Sequence, residues 1–361
     1  MNIRKGDTVK ALFLTQVGNH VTKERGKLDL RDIPIPKPGP EEILIKVSYA
    51  SVCGSDGHML LGNLGCLGDI ISASLPMRMG HEMSGVIQEV GATAAQHGFQ
   101  PGDRVTANYT HFCGSCYFCH TGRENFCMHP DGRSDAMSEY VCWHMSQVYH
   151  LPPTVPLLDG SLTEPLSIAL GAVEMVQVGL GSHVLVFGCG GIGLMAIQLA
   201  KLAGAALVTA VEPVAEKRKI ALENGADFAV DPTQEGWKDE ALQCNAHMGY
   251  DAVIESSGAS SAAQSSISLM GPDSHAVYFA MYDPNFNIQV NPFNELYLGQ
   301  KHLHGLYTTA DSFEKTVRIL PRMNFKPIVQ KIYAIDDYEK AFADQTSGKY
   351  AKIVFQMDQQ N

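Results

Sequence analysis

Cys113, Cys116, Cys119 and Cys127 crowd into one short segment, HFCGSCYFCHTGRENFC, at C-x2-C-x2-C-x7-C spacing. Four thiolates on a loop this short can close a tetrahedral zinc shell with no position left open, which is a structural site. An iron–sulfur cluster is the competing occupant, since thiolates serve it equally well, but no second cysteine group or redox-relay sequence accompanies this one. A second set of donors is scattered: Cys53 in VCGSDGH, His81 and Glu82 in MGHEMSG, and Glu164 in LTEPLSIAL. One thiolate, one imidazole and one carboxylate would leave a fourth position for water or a substrate oxygen, as a catalytic zinc needs. Taken singly, each of these residues is equally at home as core filler or in an ordinary polar contact, and spacing along the chain does not assemble them.

A third signal is glycine. HVLVFGCGGIGLMAIQLAKLAG sets Gly188, Gly190 and Gly193 in a G-x-G-x-x-G register between an apolar strand and a helix, with Gly191 and Ile192 completing the turn. Such glycines permit a tight turn and close backbone approach, so that the helix N-terminus can face a pyrophosphate. The next strand, ALVTAVE, ends in Glu212, about 20 residues beyond the turn, where an acidic residue binds ribose hydroxyls. A carboxylate there repels a 2'-phosphate and favours NAD over NADP. The alternative is that Glu212 caps the helix AEKRKIALENG while Lys217 or Arg218 accepts a phosphate.

These groups need a scaffold. With 361 residues and 45% apolar content, the chain can bury a substantial core, and its length suggests two domains. Over residues 1–160, short Val/Ile-rich runs such as EEILIKVSYASV, SGVIQEVG and DRVTANY are broken by Pro and Gly clusters, which predicts a strand-rich domain. Over 161–307, apolar strands (HVLVFG, ALVTAVE, FAVD, DAVIESSG, HAVYFAM) alternate with helical segments, which predicts a doubly wound parallel sheet. The tail, 308–361, with SFEKTVRIL, IYAIDDYEKAFADQ and AKIVFQM, does not extend that alternation and is assigned to the first domain.

A formal charge of -11 without any basic run speaks against nucleic acid as a partner. The opening MNIRKGDTVK has no apolar h-region, and no later stretch is apolar for long enough to cross a bilayer. A cytoplasmic, unprocessed chain with no membrane partner is expected, and its nine cysteines are expected as thiols or metal ligands rather than disulfides.

CGSD, GHE-x-SG, the four-cysteine loop, EPL and the glycine turn, in this order over nearly the whole chain, resemble the medium-chain zinc alcohol dehydrogenase superfamily. The resemblance implies an α/β protein with a GroES-like β-rich catalytic domain and a Rossmann sheet. It also implies two Zn2+ per chain, one catalytic and one structural. Cys53, His81 and Glu164 become the expected ligands of the catalytic ion, with Glu82 as a carboxylate that exchanges with water or a ligand. A carboxylate from an EPL segment, where classical alcohol dehydrogenases have Cys, is similar to sorbitol, other polyol and threonine dehydrogenases. Ser55 falls where family members hold the hydroxyl that accepts the alcohol proton. His58 falls where some hold a relay to solvent, a surface-loop histidine being the alternative. Asp56 resembles the carboxylate that orients the ligand histidine, an Asx turn being the alternative.

There are departures. Gly171 stands where many polyol dehydrogenases carry His, and LLGNLGCLGDIISASLPMRM is longer than the corresponding linker in many relatives. Both leave the substrate open between a polyol, sugar alcohol or sugar acid and a 3-hydroxy amino acid such as threonine. A non-catalytic dinucleotide-binding protein and a zinc-free reductase are the counter-readings, and the complete donor set argues against both. The resemblance further implies a homodimer or homotetramer joined through edge strands such as HAVYFAM. The segment MYDPNFNIQVNPFNELYLG is expected at the cleft or at an interface, or in ordinary packing.

Overall fold

The strand Glu42–Ser51 is buried along most of its length, because Ile43, Ile45 and Val47 pack in one cluster with Leu12 and Trp143, Leu44 packs in another with Val9 and Tyr140, and Glu82–Val90, Tyr140–His144 and Lys352–Gln356 pair along its edges. The computed structural model that shows this describes residues 8–65, 67–308 and 312–357. The first seven residues, on which part of the reading against a leader rests, lie outside the described residues. So do the four at the end of the chain and 309–311 within the tail assignment.

The N-terminal sheet runs in the order Val148–His150, Arg104–Ala107, Glu82–Val90, Glu42–Ser51, Lys352–Gln356, Val329–Ala334, with Tyr140–His144 as a further partner of Glu42–Ser51. A three-stranded sheet, Lys27–Pro34, Thr8–Gln16 and Met77–Arg78, shares its core, where Leu12, Ile45, Trp143 and Phe355 are buried. Trp143 Nε1 donates to Asp135 at 2.6 Å, and Arg78 pairs with the same carboxylate at 2.7 Å. The buried indole N–H and the buried charge are thereby both satisfied.

The second sheet is parallel throughout: Phe228–Val230, Leu207–Val211, His183–Phe187, Tyr250–Glu255, Met270–Tyr278, His302–Gly305. Its central strands read HVLVF, LVTAV and YDAVIE because helices such as Gly191–Ala203 and Ser260–Leu269 cover them, and both faces are apolar. A β-rich domain beside a Rossmann sheet is the architecture that the sequence predicts.

One expectation is corrected. HAVYFAM belongs to the interior strand Met270–Tyr278, and the edge is taken by His302–Gly305. HLHG is too short and too polar to carry a strand signal of its own; only its parallel register with His275–Tyr278 makes it one. The tail divides: Leu320, Phe325 and Ile328 pack in one cluster with Leu166, Val184 and Leu194, whereas the strands Val329–Ala334 and Lys352–Gln356 join the N-terminal sheet. Among the described residues no helix is long and apolar enough to cross a membrane.

Candidate active site and metal centres

Cys53 is the N-cap of the helix Gly54–Leu61, and Asp56 in the first turn accepts its backbone N–H at 2.9 Å, closing a capping box. His81 and Glu82 follow Gly80, whose φ of +88° permits the turn and whose missing side chain would strike Met137. The sheet register then pairs Ser51 with Glu82, which brings Cys53, two residues on, to His81. One donor atom each from Cys53, His81 and Glu82 lie within 4.8 Å of one another. Glu164 is buried in the first turn of the helix Thr163–Met175, outside that group but near enough to act on the charge of His81.

The group is electrostatically unbalanced. Glu82 accepts from the Ser51 hydroxyl and pairs with the buried Lys352 ammonium at 2.5 Å through one oxygen, while its other oxygen is buried without a partner. Burial opposes charge on Lys352, but Glu82 and then Cys53 outweigh it and hold the ammonium above its ordinary value. Burial likewise opposes charge on His81, yet the Cys53 sulfur, Asp56 and Glu164 hold it well above its usual range. Glu164 is pushed up to about 7, first by burial and then by Glu82, against the pull of His81 and Lys352. A half-buried thiol, an imidazole and carboxylates, one with an orphaned oxygen, are the donor set of a divalent cation such as zinc, which would relieve this excess of negative charge.

The supporting residues are placed as follows. Asp56 is fully buried, and its carboxylate stands 4.0 Å from His81 Nδ1, a charge contact beyond hydrogen-bond reach. It serves the Cys53 N–H first. Ser55 and His58 lie on one face of the same helix, both half-buried. His58 Nδ1 has no partner, and burial lowers its pKa, so the ring is neutral at neutral pH.

The cysteine loop is local. A two-strand ribbon, Thr110–His111 with Asp131–Gly132, pins its base, and Cys116 starts the short helix Tyr117–His120. All four sulfurs lie within 4.8 Å of one another, Cys116 and Cys119 at 3.5 Å and Cys113 and Cys119 at 3.9 Å. A tetrahedron with Zn–S bonds of about 2.3 Å has edges of about 3.8 Å. The Ser115 backbone and hydroxyl pull the Cys113 thiol down to about 5, whereas burial and the neighbouring sulfurs push Cys119 up to about 12. Four thiolates this close need a cation between them, and the loop fits zinc.

At the glycine turn, Gly188 has φ +86°, and a Cβ on Gly193 would lie 1.9 Å from the Gly188 carbonyl oxygen. Only glycine allows this approach. Gly190 caps the helix Gly191–Ala203, and Ile192 lies in its first turn. A cavity of about 660 Å³ opens here, lined by Gly188, Gly190, Glu212, Lys217, Trp237 and Ser256. Glu212 is buried and accepts from the backbone N–H of Cys189 at 2.8 Å and of Val214 at 3.0 Å. Arg218 is committed to the carbonyls of Glu212 and Pro213 and to Asp231. Of the two basic residues named for a phosphate, Lys217 alone lines the cavity.

Residues 39–153 match the alcohol dehydrogenase GroES-like domain, and residues 191–322 match the zinc-binding dehydrogenase domain. The chain is 32% identical to sorbitol dehydrogenase of Halalkalibacterium halodurans over 96% of its own length and 98% of the relative's. The chain belongs to the zinc-dependent medium-chain alcohol/polyol dehydrogenase family. It is also 30% identical to L-threonine 3-dehydrogenase of Pyrococcus abyssi, over 93% of this chain and 97% of that one. A crystal structure of a zinc-binding dehydrogenase from Clostridium scindens is 43% identical with a TM-score of 0.94, covering 97% of this chain and all of its own.

Sequence reasoning missed two residues of this dehydrogenase's site. Lys352 is a charge inside the apolar run AKIVFQM, an anomaly that marks a buried partner without naming it. Tyr109 tilts against His81 with ring centroids 5.1 Å apart, and burial, then Glu164, pushes its hydroxyl above the ordinary phenol range. Tyr109 sits in ANYTHFC with no spacing signal. Of the aromatics of the 281–299 segment, Phe293 and Tyr297 are exposed, whereas Tyr282 and Phe286 are half-buried.

Proposed function

We propose that this dehydrogenase oxidises a secondary alcohol of the polyol, sugar-alcohol or sugar-acid class to the ketone, with NAD as the hydride acceptor. The observation that carries this reading is the double use of two adjacent residues: the Gly191 N–H donates to the Ala351 carbonyl at 3.0 Å, and Lys352 reaches Glu82. A dinucleotide laid on the glycine turn therefore lies next to the mixed donor group. Cys53 and His81 with one carboxylate at a time, Glu164 or the exchanging Glu82, would hold the catalytic zinc and leave a position for the alcohol, and Cys113, Cys116, Cys119 and Cys127 would hold the structural one. When bound, the catalytic ion supplies Lewis acidity to the alcohol oxygen, and the nicotinamide takes the hydride.

The chain's own residues do the rest. Ser55 takes the alcohol proton, and His58, kept neutral by burial, passes it to solvent. Lys352 pairs with Glu82 and holds it in place. Glu212, with both oxygens already oriented by backbone N–H groups, offers a carboxylate to ribose hydroxyls and disfavours a 2'-phosphate, which supports NAD over NADP.

A 3-hydroxy amino acid is the second reading, favoured by the threonine dehydrogenase relative. NAD reduction measured across polyols, sugar acids and hydroxy amino acids separates the two; turnover of the amino acids alone overturns the first. A parallel NADP series tests Glu212. We also propose a cytoplasmic homodimer or homotetramer, pairing through the edge strand His302–Gly305; a monomer by sedimentation would refute it.

A further inference from the structure

On the outer edge of the six-stranded sheet three histidines share one face. His302 is the parallel partner of His275, and His304, two residues along the same strand, projects to the same side. Ring centroids are 4.5 Å apart for His275 and His302, 5.2 Å for His275 and His304, and 6.3 Å for His302 and His304. His275 Nδ1 and His304 Nε2 are 2.9 Å apart. Two imidazoles bonded to one ion at about 2.1 Å place their nitrogens about 3 Å apart, so this pair already stands at chelating distance.

We propose that His275, His302 and His304 form a third metal site, for an imidazole-preferring divalent transition ion such as Ni2+, Cu2+ or Zn2+. A His-x-His pair on one strand with a third histidine on its neighbour is held at fixed spacing by the sheet itself. His302, 49% exposed in the single chain, completes the site by turning its ring; strand side chains stand off the sheet face, so backbone pairing along the same edge does not take its place. The exposed Asp273 carboxylate lies 3.6 Å from His302 Nε2, beyond hydrogen-bond reach, and does not fix the ring. Burial first, and then the neighbouring rings, lower the pKa of His275 and of His304, so neither ring takes up a second proton at neutral pH, and an ion has to displace only the proton that His275 Nδ1 and His304 Nε2 share. The adjacent cation, Lys301, is turned away to Glu295 and to the Ile267 carbonyl, which removes a source of repulsion.

The test is calorimetric titration with Ni2+ of the enzyme carrying zinc in its two cysteine-containing centres and freed of excess metal, beside H304Q and H302Q/H304Q. Wild type should take up one further ion per chain. H304Q should bind it at least about tenfold more weakly, a lower bound set by what loss of a mere supporting group costs, and the double variant should not bind it. Alcohol oxidation should be unchanged in both. No additional ion in wild type, or equal uptake by the double variant, overturns the site. Should loss of His304 unfold the edge strand, H302Q alone, altered at an exposed side chain, keeps the comparison open. Because the readout is a difference between wild type and variants, it does not depend on how much zinc the other two groups hold.

Discussion

The cysteine loop and the Cys53 group place metal donors by opposite routes. In the loop all four sulfurs come from one stretch of chain, closed by a ribbon two residues long on each side, and the donors are chemically alike. In the Cys53 group the donors come from a helix start and a strand start, Glu164 approaches from a second helix, and the balancing ammonium, Lys352, arrives from near the C-terminus. A set of four identical donors saturates its ion and can only hold structure. A mixed set under unbalanced charge has an incomplete shell, which is where a substrate oxygen can enter.

The sharpest way to break this contrast is to remove one sulfur from each group. Cys53→Ala should lower alcohol turnover by about a thousandfold or more, equivalent to about 4 kcal/mol of barrier, with dinucleotide affinity and melting temperature nearly unchanged. Steady-state kinetics and a fluorescence titration of NADH check this, and substantial residual activity would remove Cys53 from the ligand set.

Next in size is Lys352→Met. In metal-stripped protein it leaves the Glu82 charge buried and unpaired, which costs about 3–5 kcal/mol of stability in denaturant unfolding. Adding Glu82→Gln should recover most of the loss, since neither charge then remains. If the double variant is no more stable than the single one, the ion pair is not what Lys352 contributes.

Cys116→Ser should lower the melting temperature by several degrees and leave kcat nearly intact, the reverse of Cys53→Ala. A kcat loss comparable to that of Cys53→Ala, without a thermal shift, would erase the distinction between the two centres.

The smallest effect concerns charge within the loop. With zinc removed, Cys113 is deprotonated above about 5 and Cys119 remains a thiol up to about 12. Iodoacetamide at pH 6 should therefore label Cys113 and spare Cys119, where an ordinary cysteine of pKa about 8.5 reacts only slowly. Peptide mapping reads the result, restored zinc should protect both, and equal labelling at pH 6 contradicts the asymmetry.

The sequence alone determined whatever is local. The four-cysteine spacing, the glycine turn and its acidic residue, and the alternation of buried strands and helices each depend on neighbours a few residues away, so residue types suffice to show them. Cys53, His81, Glu82 and Glu164 could be named there, but only by resemblance. Tertiary structure decided what depends on distant segments meeting: Ser51 facing Glu82, Lys352 paired with that carboxylate, the Gln345 amide donating to the Cys53 carbonyl at 3.4 Å across 292 positions of chain, and Tyr109 tilted against His81. It also made an edge strand of HLHG, which has no apolar pattern and exists only as the partner of its neighbour. Such contacts form when burial forces separate parts of the chain together, and the energy that selects them is that of the whole core, which no short window of sequence contains.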